Sequence, residues 1–126
     1  LFGCPYRTDV LYKDFFEELA QKHDNFHYNI AVSREDRRED GSKKYVQTLI
    51  EDAPEVLDVL SKQNTLIYIC GLRGMETGIY QVLVKNGLMD YVKVRPELIE
   101  KPHTEWTWEE WKKGVRGSTR MFEEVY

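Results

Sequence analysis

Hydrophobic positions along the chain switch between two periods, and this pattern predicts strands that alternate with helices. Residues 1–4 ("LFGC") and 26–33 ("FHYNIAVS") are short apolar or alternating stretches, which is typical of strands. The continuous apolar run 65–70 ("TLIYIC") predicts a strand buried on both faces. The last residues, 121–126 ("MFEEVY"), predict an edge strand.

Helical spacing appears first in residues 6–23, where apolar side chains recur every four positions. The predicted stripe consists of Leu11, Phe15 and Leu19. Either Thr8 or Asp9 is the expected N-cap, because both side chains can accept a hydrogen bond from a free backbone N–H at a helix start.

Three further segments carry local helix signals. Residues 45–63 are helical in pattern but should be interrupted before Pro54, since proline disfavours helix at the preceding residue. The stretch "METGIYQVLVKNG" predicts a helix that Gly87 ends. Thr107 and Glu110 have the spacing of a capping box at the start of a short helix.

This alternation predicts an α/β domain with a parallel sheet and helices on both faces, and the sequence shows no internal domain boundary. In such sheets ligands bind beyond the carboxyl ends of the strands. Residues 3–5, 33–34 and 70–72 each follow or end a predicted strand, so we expect them to gather at that edge.

Composition narrows the class of protein. The 126 residues carry a net charge of −4, whereas a general nucleic-acid binder is normally basic. No apolar run approaches the roughly 20 residues of a membrane span. The two cysteines, Cys4 and Cys70, do not form a disulfide framework and favour a reducing compartment. No metal site is predicted.

A basic block follows the second predicted strand. Ser33 and Arg34 end that strand, and Lys43, Tyr45 and Gln47 would share one side if their segment is extended. Hydroxyl, guanidinium, ammonium and phenol groups together suit a phosphate monoester beside an aromatic base. The alternative from spacing alone is a charged, solvated hairpin loop.

A glycine-rich turn follows the third predicted strand, with Cys70 at the junction and glycines at 71, 74 and 78. This turn lacks the full dinucleotide-binding glycine pattern and also lacks the P-loop lysine. One interpretation is a ligand-binding turn. The other is a tight strand-to-helix connection in which Cys70 is only a small buried side chain.

Together these stretches resemble the NADP-binding domain of plant-type ferredoxin–NADP+ reductases. The resemblance covers residues 1 to about 88 and 121–126. It is carried by "LFGCPYRTDVLYKDFFEEL", "AVSREDRREDGSKKYVQ", "IYICGLRGMETGI" and "EEVY". Leu72 and Tyr126 favour this branch over diflavin reductases and cytochrome b5 reductase-like enzymes.

The resemblance implies a role for each matching residue. The positions that hold the 2′-phospho-AMP half are Ser33, Arg34, Lys43 and Tyr45, with Gln47 adjoining. Cys4 and Pro5 stand where the family usually has Val-Pro beside the cofactor, and Gly71 and Leu72 contact the nucleotide. Cys70 lies beside the nicotinamide with Glu124 nearby, and Tyr126 stacks on the flavin.

The family also implies an activity. The expected protein is an oxidoreductase, an FAD-dependent reductase that passes hydride between NADPH and FAD. Its one-electron partner is ferredoxin or flavodoxin, and its compartment is the bacterial cytoplasm or plastid stroma. Alternatives are the reductase component of an oxygenase, a diflavin reductase, or a non-catalytic nucleotide-binding domain.

The expected fold is a Rossmann-like sheet of strand order 3-2-1-4-5. Residues 1–126 would be an amino-terminally incomplete NADP-binding domain. Its first strand and an FAD-binding domain are expected upstream. Cys4 and Cys70 are predicted not to form a disulfide.

Residues 89–120 depart from the family pattern. Their three tryptophans are expected in the core, with contacts to a partner as the alternative; these are Trp106, Trp108 and Trp111. Their basic residues predict either a solvated face or contacts with an acidic ferredoxin. These are Lys112, Lys113, Arg116 and Arg120.

Overall fold

A computed structural model describes residues 1–126, whose contacts divide into two compact units, Leu1–Ala53 and Pro54–Tyr126. Each unit contains helices and one parallel strand pair. The α/β class and the parallel strands predicted from the sequence are therefore confirmed. The strand order 3-2-1-4-5 stays a prediction.

The first unit is built on a parallel pair, β1 (Phe2–Cys4) and β2 (Ile30–Val32). Parallel neighbours need a long crossover, and helix α1 (Lys13–Lys22) lies within it. A short helix, α2 (Thr48–Asp52), ends the unit.

The face of α1 that packs against the rest of the unit differs from the predicted stripe, and none of its residues is fully buried. Leu11 and Phe15 are 62% and 55% exposed, whereas the neighbouring Phe16 packs against aromatic rings that precede β2. Its ring centroid lies 5.9 Å from that of Phe26 and 5.0 Å from that of Tyr28. Residues 26–29 therefore pack against α1 without forming part of the strand, and β2 is shorter than predicted.

The predicted N-cap of this helix was also wrong. Asp9 belongs to a separate 3-10 turn, Arg7–Asp9, where its carboxylate accepts the Tyr6 backbone N–H at 3.2 Å. Helix α1 begins later, after Tyr12, whose φ of 54° places it in the left-handed region. The turn uses the local acid, so it is not available to cap the helix.

The second unit contains four α-helices, four strands and two 3-10 turns, Met89–Tyr91 and His103–Glu105. Its helices are α3 (Pro54–Ser61), α4 (Met75–Lys85), α5 (Pro96–Ile99) and α6 (Trp108–Gly114). Its strands are β3 (Ile67–Gly71), β4 (Val92–Val94), β5 (Val115–Gly117) and β6 (Met121–Val125). The predicted interruption before Pro54 is confirmed, since Ala53 is extended.

The β3–β6 sheet has one buried and one open face. The two strands run parallel, and Ile69 and Met121 are buried on the inner side. On the other side Tyr68 is 74% exposed and its ring stacks on Phe122 at 4.8 Å. The predicted strand at 121–126 is confirmed, but burial of β3 on both faces is wrong.

Helix α4 ends as its sequence predicts. Gly87 has a φ of 73°, and its N–H donates to the Val84 carbonyl at 3.0 Å while Leu88 donates to Leu83 at 2.9 Å. These two bonds form a Schellman motif, which satisfies carbonyls that the helix leaves free.

Residues 89–120 form an antiparallel pair, β4–β5, with helices α5 and α6. Trp111 is buried and its ring lies 4.7 Å from that of Trp106, whose indole N–H donates to the carbonyl of Leu98 at 3.0 Å. The core prediction is confirmed for Trp111, while Trp106 is only half-buried against it. The prediction is wrong for Trp108, which is half exposed.

Arg120 does not belong to a solvated face. Its guanidinium donates to the carbonyls of Lys62 and Thr65 and to the Tyr91 hydroxyl. It also lies over the Tyr91 ring, 4.3 Å from the centroid. Arg120 thus ties the end of α3 to the start of β6, a structural role that removes it from the candidate partner contacts.

Replacing Thr107 by Ala is expected to lower the free energy of unfolding by about 1 kcal/mol. Thr107 accepts the Glu110 backbone N–H at 3.3 Å, and the Glu110 carboxylate accepts the Thr107 N–H at 2.7 Å, which confirms the predicted capping box. Denaturant titration measures the change. Thr107→Ser keeps the hydroxyl and serves as control; an equal loss in that variant would contradict the capping role.

Candidate functional site

In the first unit, the carboxyl ends of β1 and β2 are joined by backbone hydrogen bonds. The Ser33 N–H donates to the Cys4 carbonyl at 2.9 Å, and the Arg34 N–H donates to the Pro5 carbonyl at 3.0 Å. The Ser33 hydroxyl also reaches the Cys4 carbonyl at 3.4 Å. The predicted meeting of residues 3–5 with 33–34 is confirmed, and their gathering with 70–72 stays a prediction.

A hairpin returns the chain to this edge. Arg37 and Lys43 form an antiparallel bridge, so the chain between them is a hairpin, as one interpretation of the sequence expected. Gly41 permits its turn with a φ of 82°. A Cβ added at Gly3 would lie only 3.2 Å from the Val46 Cβ, so the returning chain lies against β1. Tyr45, next to Val46, is exposed at this edge.

The backbone conformation of Gln47 contradicts the extended conformation considered for residues 43–47 in the sequence analysis. Its φ of −67° and ψ of −29° are helical, and it stands at the start of α2. The turn begins at Tyr45, whose carbonyl accepts both the N–H and the hydroxyl of Thr48. A period of two can relate Lys43 to Tyr45 but does not continue to Gln47.

The cations at this edge differ in whether an acid already neutralises them. Arg38 pairs with Asp52 at 2.8 Å and with Glu51 at 3.2 Å. Arg34 and Lys43 form no ion pair, and the Arg34 guanidinium lies over the Tyr6 ring at 5.7 Å. Two unneutralised cations and the Ser33 hydroxyl suit a phosphate dianion.

Cys4 contributes an uncharged side chain to this edge of the first unit. Its side chain is buried, and its S–H donates to the Tyr6 carbonyl at 3.3 Å. Burial raises the pKa of the Cys4 thiol, and the nearby carboxylates of Asp9 and Glu35 raise it further. The thiol therefore stays protonated near neutral pH and is not a nucleophile.

The second unit carries the other predicted residues at the carboxyl end of β3. Cys70 stands directly opposite Glu124 in the parallel register, and both are exposed. The Tyr126 N–H donates to the Gly71 carbonyl at 3.1 Å, and the Arg73 N–H donates to the Tyr126 carbonyl at 3.0 Å. The Cys70 thiol and the Glu124 carboxylate thus share the open face of the sheet. The backbone next to them is fixed by the two hydrogen bonds of Tyr126.

The glycine turn after Cys70 serves packing and chain reversal. A Cβ at Gly71 would lie 2.6 Å from the Met75 Cε, and Gly74 has a φ of 102°. The Gly74 N–H is occupied by the Glu76 carboxylate at 2.7 Å, so this helix start is not an open phosphate cradle. The exposed residues of the turn are Leu72 and Arg73.

Comparison with known proteins identifies the family of the chain. The family described as the oxidoreductase NAD-binding domain matches residues 1–81. The chain belongs to this family. The resemblance predicted from the sequence is confirmed by relatives named ferredoxin–NADP reductase.

Among these relatives, the chloroplastic leaf isozyme 1 of Arabidopsis thaliana is 38% identical over 126 residues, covering 98% of this chain and 31% of that protein. The enzyme of Picosynechococcus sp. is 35% identical over 132 residues, covering 100% and 28%. The chloroplastic enzyme of Spinacia oleracea is 40% identical over 101 residues, covering 76% and 27%. The chain spans 27% to 31% of the length of these relatives. None of its helices has the length and apolar character needed to cross a membrane.

Two features of this NAD-binding family member were not predicted. The buried Tyr80 hydroxyl of α4 donates to the Glu123 carboxylate of β6, and burial together with this carboxylate raises the Tyr80 pKa. The bond ties α4 to the strand that carries Glu124. The two residues are 43 positions apart, and no periodicity in the sequence links them.

The other is a basic groove, defined here by Lys93, Arg95, Lys113 and Arg116, of which only Lys113 and Arg116 are candidate partner contacts from the sequence. Its volume is about 280 Å³. Lys93 and Arg116 are directly opposite on β4 and β5, an arrangement of like charges that costs stability. Lys113 pairs with Glu109 at 3.2 Å and Arg95 with Glu97 at 4.0 Å, whereas Lys93 and Arg116 form no ion pair.

Thiol titration is expected to separate the two cysteines. The denatured, unreduced protein should give two thiols, because both cysteines are free, as predicted. The native protein should react rapidly at one thiol only, since Cys70 is exposed and Cys4 is buried with a raised pKa. Cys70→Ser should abolish the rapid phase; a rapid phase that survives in this variant would contradict the assignment.

Proposed function

We propose that this chain is the NADP-binding part of a ferredoxin–NADP reductase, an oxidoreductase that passes hydride between NADPH and FAD. The observation that most supports this proposal is the Cys70–Glu124 pair, which lies on an open sheet face in a member of the NAD-binding family. The names of the relatives support the proposal. The plastid stroma or the bacterial cytoplasm is the proposed compartment, supported by the chloroplastic relatives.

Residues 1–126 are proposed to be an amino-terminally incomplete NADP-binding domain, with an FAD-binding domain upstream. The share of the relatives that the chain spans, 31% for the Arabidopsis enzyme, supports this division. β3 pairs with β6 alone and β1 with β2 alone, so each has an edge on which a further strand can pair.

The first unit is proposed to bind the 2′-phospho-AMP half of NADP(H). Arg34 and Lys43 would hold the phosphate oxygens with the Ser33 hydroxyl, because neither cation has an acidic partner. Exposed Tyr45 offers a ring for the adenine, with Gln47 adjoining. Cys4 and Pro5 would form an uncharged wall beside the nucleotide.

The second unit is proposed to receive the nicotinamide half. Gly71 and Leu72 would contact the nucleotide, while Cys70 provides a small side chain that lets the ring approach and Glu124 a nearby carboxylate. The Tyr126 ring, 72% exposed and with its backbone held at both N–H and carbonyl, fits a group that stacks on FAD. FAD, when bound, accepts a hydride and releases electrons singly.

NADPH-dependent reduction of ferricyanide by the intact, FAD-loaded protein tests the proposal. We expect NADPH to support rapid turnover and NADH to support little. Equal use of both nucleotides would reject the NADP assignment. Binding of NADP+ without any flavin reduction would favour a non-catalytic nucleotide-binding domain.

The one-electron partner is proposed to be ferredoxin or flavodoxin, and the basic groove supports an acidic protein carrier. We expect Arg116→Gln to raise the KM for ferredoxin about two- to threefold at low salt, because a rim charge acts mainly on the association rate. The effect should shrink at high salt. Lys62→Gln, at an exposed lysine that pairs with Asp58, is the matched control. Equal effects in both variants would argue against docking at the groove.

A further inference from the structure

The candidate phosphate ligand Arg34 is followed directly by two acids, Glu35 and Asp36. Carboxylates so close to a phosphate site oppose it in two ways. They compete for the guanidinium, and they repel the incoming dianion. A site of this composition works only if something else holds the carboxylates.

Arg7 holds both of them. Its backbone N–H donates to the Glu35 carboxylate at 2.9 Å, and its Nε lies 3.6 Å from the same oxygen. Its Nη2 donates to the Asp36 carboxylate. One guanidinium therefore neutralises the two acids next to Arg34.

The same short turn also supports Arg34. Tyr6 precedes Arg7, and its ring lies beneath the Arg34 guanidinium at 5.7 Å. Asp9 fixes the turn by accepting the Tyr6 N–H at 3.2 Å. The turn thus places an aromatic surface under one arginine and a second arginine against the acids.

We propose that Arg7 is a positioning residue that makes Arg34 available to the 2′-phosphate by holding Glu35 and Asp36. This rests on the proposed function of the first unit. Arg7 itself does not contact the phosphate in this proposal. Its contribution is specific to ligands with a 2′-phosphate, because an uncharged ribose hydroxyl is little affected by the freed carboxylates.

Calorimetric titration of the intact protein with 2′,5′-ADP and with 5′-AMP tests the proposal. Arg7→Gln should weaken 2′,5′-ADP binding about three- to tenfold, a range set by the partial solvent screening of these exposed charges. Binding of 5′-AMP should stay unchanged. The Arg7→Gln/Glu35→Gln/Asp36→Asn variant should recover 2′,5′-ADP binding, since it removes the freed charges. Arg38→Gln is the matched control, because Arg38 pairs with Asp52 instead.

Each of the remaining outcomes of these titrations would contradict one step of the proposal. A wild-type protein that binds 2′,5′-ADP no better than 5′-AMP would overturn the proposed function and this inference with it. Unchanged 2′,5′-ADP affinity in Arg7→Gln would overturn the inference alone. So would an equal loss for both ligands, which indicates a structural role, or a triple variant without recovery, which indicates direct phosphate contact.

Discussion

Replacing Arg34 by Ala is expected to raise the KM for NADPH at least tenfold and to leave the use of NADH almost unchanged. A charge-assisted hydrogen bond contributes about 1.5–3 kcal/mol, and each 1.4 kcal/mol is about tenfold in affinity. Arg34 can deliver this contribution because no carboxylate neutralises it, while its backbone is fixed by the bond to Pro5. Steady-state kinetics of the intact, FAD-loaded protein with both nucleotides measures the change.

Arg38→Ala supplies the comparison for this variant. Arg38 lies in the same charged loop but is committed to Asp52 and Glu51, and the Asp52 carboxylate raises its pKa further through their hydrogen bond. Its removal should affect stability more than nucleotide choice. A similar loss for NADPH and NADH in Arg34→Ala would show that Arg34 supports the fold or the shared part of the nucleotide, and would reject its assignment to the 2′-phosphate.

The features predicted well from the sequence are those that depend on residues close together in the chain. The Schellman motif at Gly87 and the capping box at Thr107 need only a few consecutive residues, so their local chemistry determines them. The meeting of Cys4 with Ser33 followed from the rule that ligands bind at the carboxyl ends of parallel strands.

The failed predictions needed information about packing. An apolar run such as 65–70 does not show whether one face or two is covered, and here Tyr68 is exposed. In α1, the adjacent Phe15 and Phe16 are equally hydrophobic, and the rings of Phe26 and Tyr28 decide which of them packs against the rest of the unit.

The unpredicted parts of the candidate site are long-range pairs. Arg7 contacts Asp36 across 29 positions, and Tyr80 contacts Glu123 across 43. Neither pair leaves a periodic trace in the sequence. Lys93 and Arg116 face each other only because β4 and β5 are antiparallel with this register. Charge patterning along the chain cannot reveal such a cross-strand pair, since each residue alone resembles an ordinary surface cation.

Replacing Tyr126 by Ser is expected to tighten NADP+ binding about two- to tenfold and to relax discrimination against NAD+. If the Tyr126 ring stacks on FAD, nicotinamide must displace it before it can stack there itself. An aromatic pair contributes about 0.5–1.5 kcal/mol beyond its buried area, and this is the free energy that displacement costs. Spectroscopic titration of the intact, FAD-loaded protein with NADP+ and with NAD+ measures both affinities.

In this prediction Tyr126 acts as a gate, because its ring must leave the flavin before nicotinamide can bind. The alternative is that Tyr126 serves only to hold the end of β6. Its backbone bonds to Gly71 and Arg73 do not involve the ring, so they should survive in Tyr126→Ser, and thermal stability should change little. Tyr126→Phe keeps a stacking ring and should bind NADP+ as the wild type does. Tyr68→Ser removes an equally exposed ring from the same sheet face and should leave NADP+ binding unchanged. Unchanged or weaker NADP+ binding in Tyr126→Ser, together with a lower melting temperature, would show that the ring stabilises the strand end instead of gating the nicotinamide.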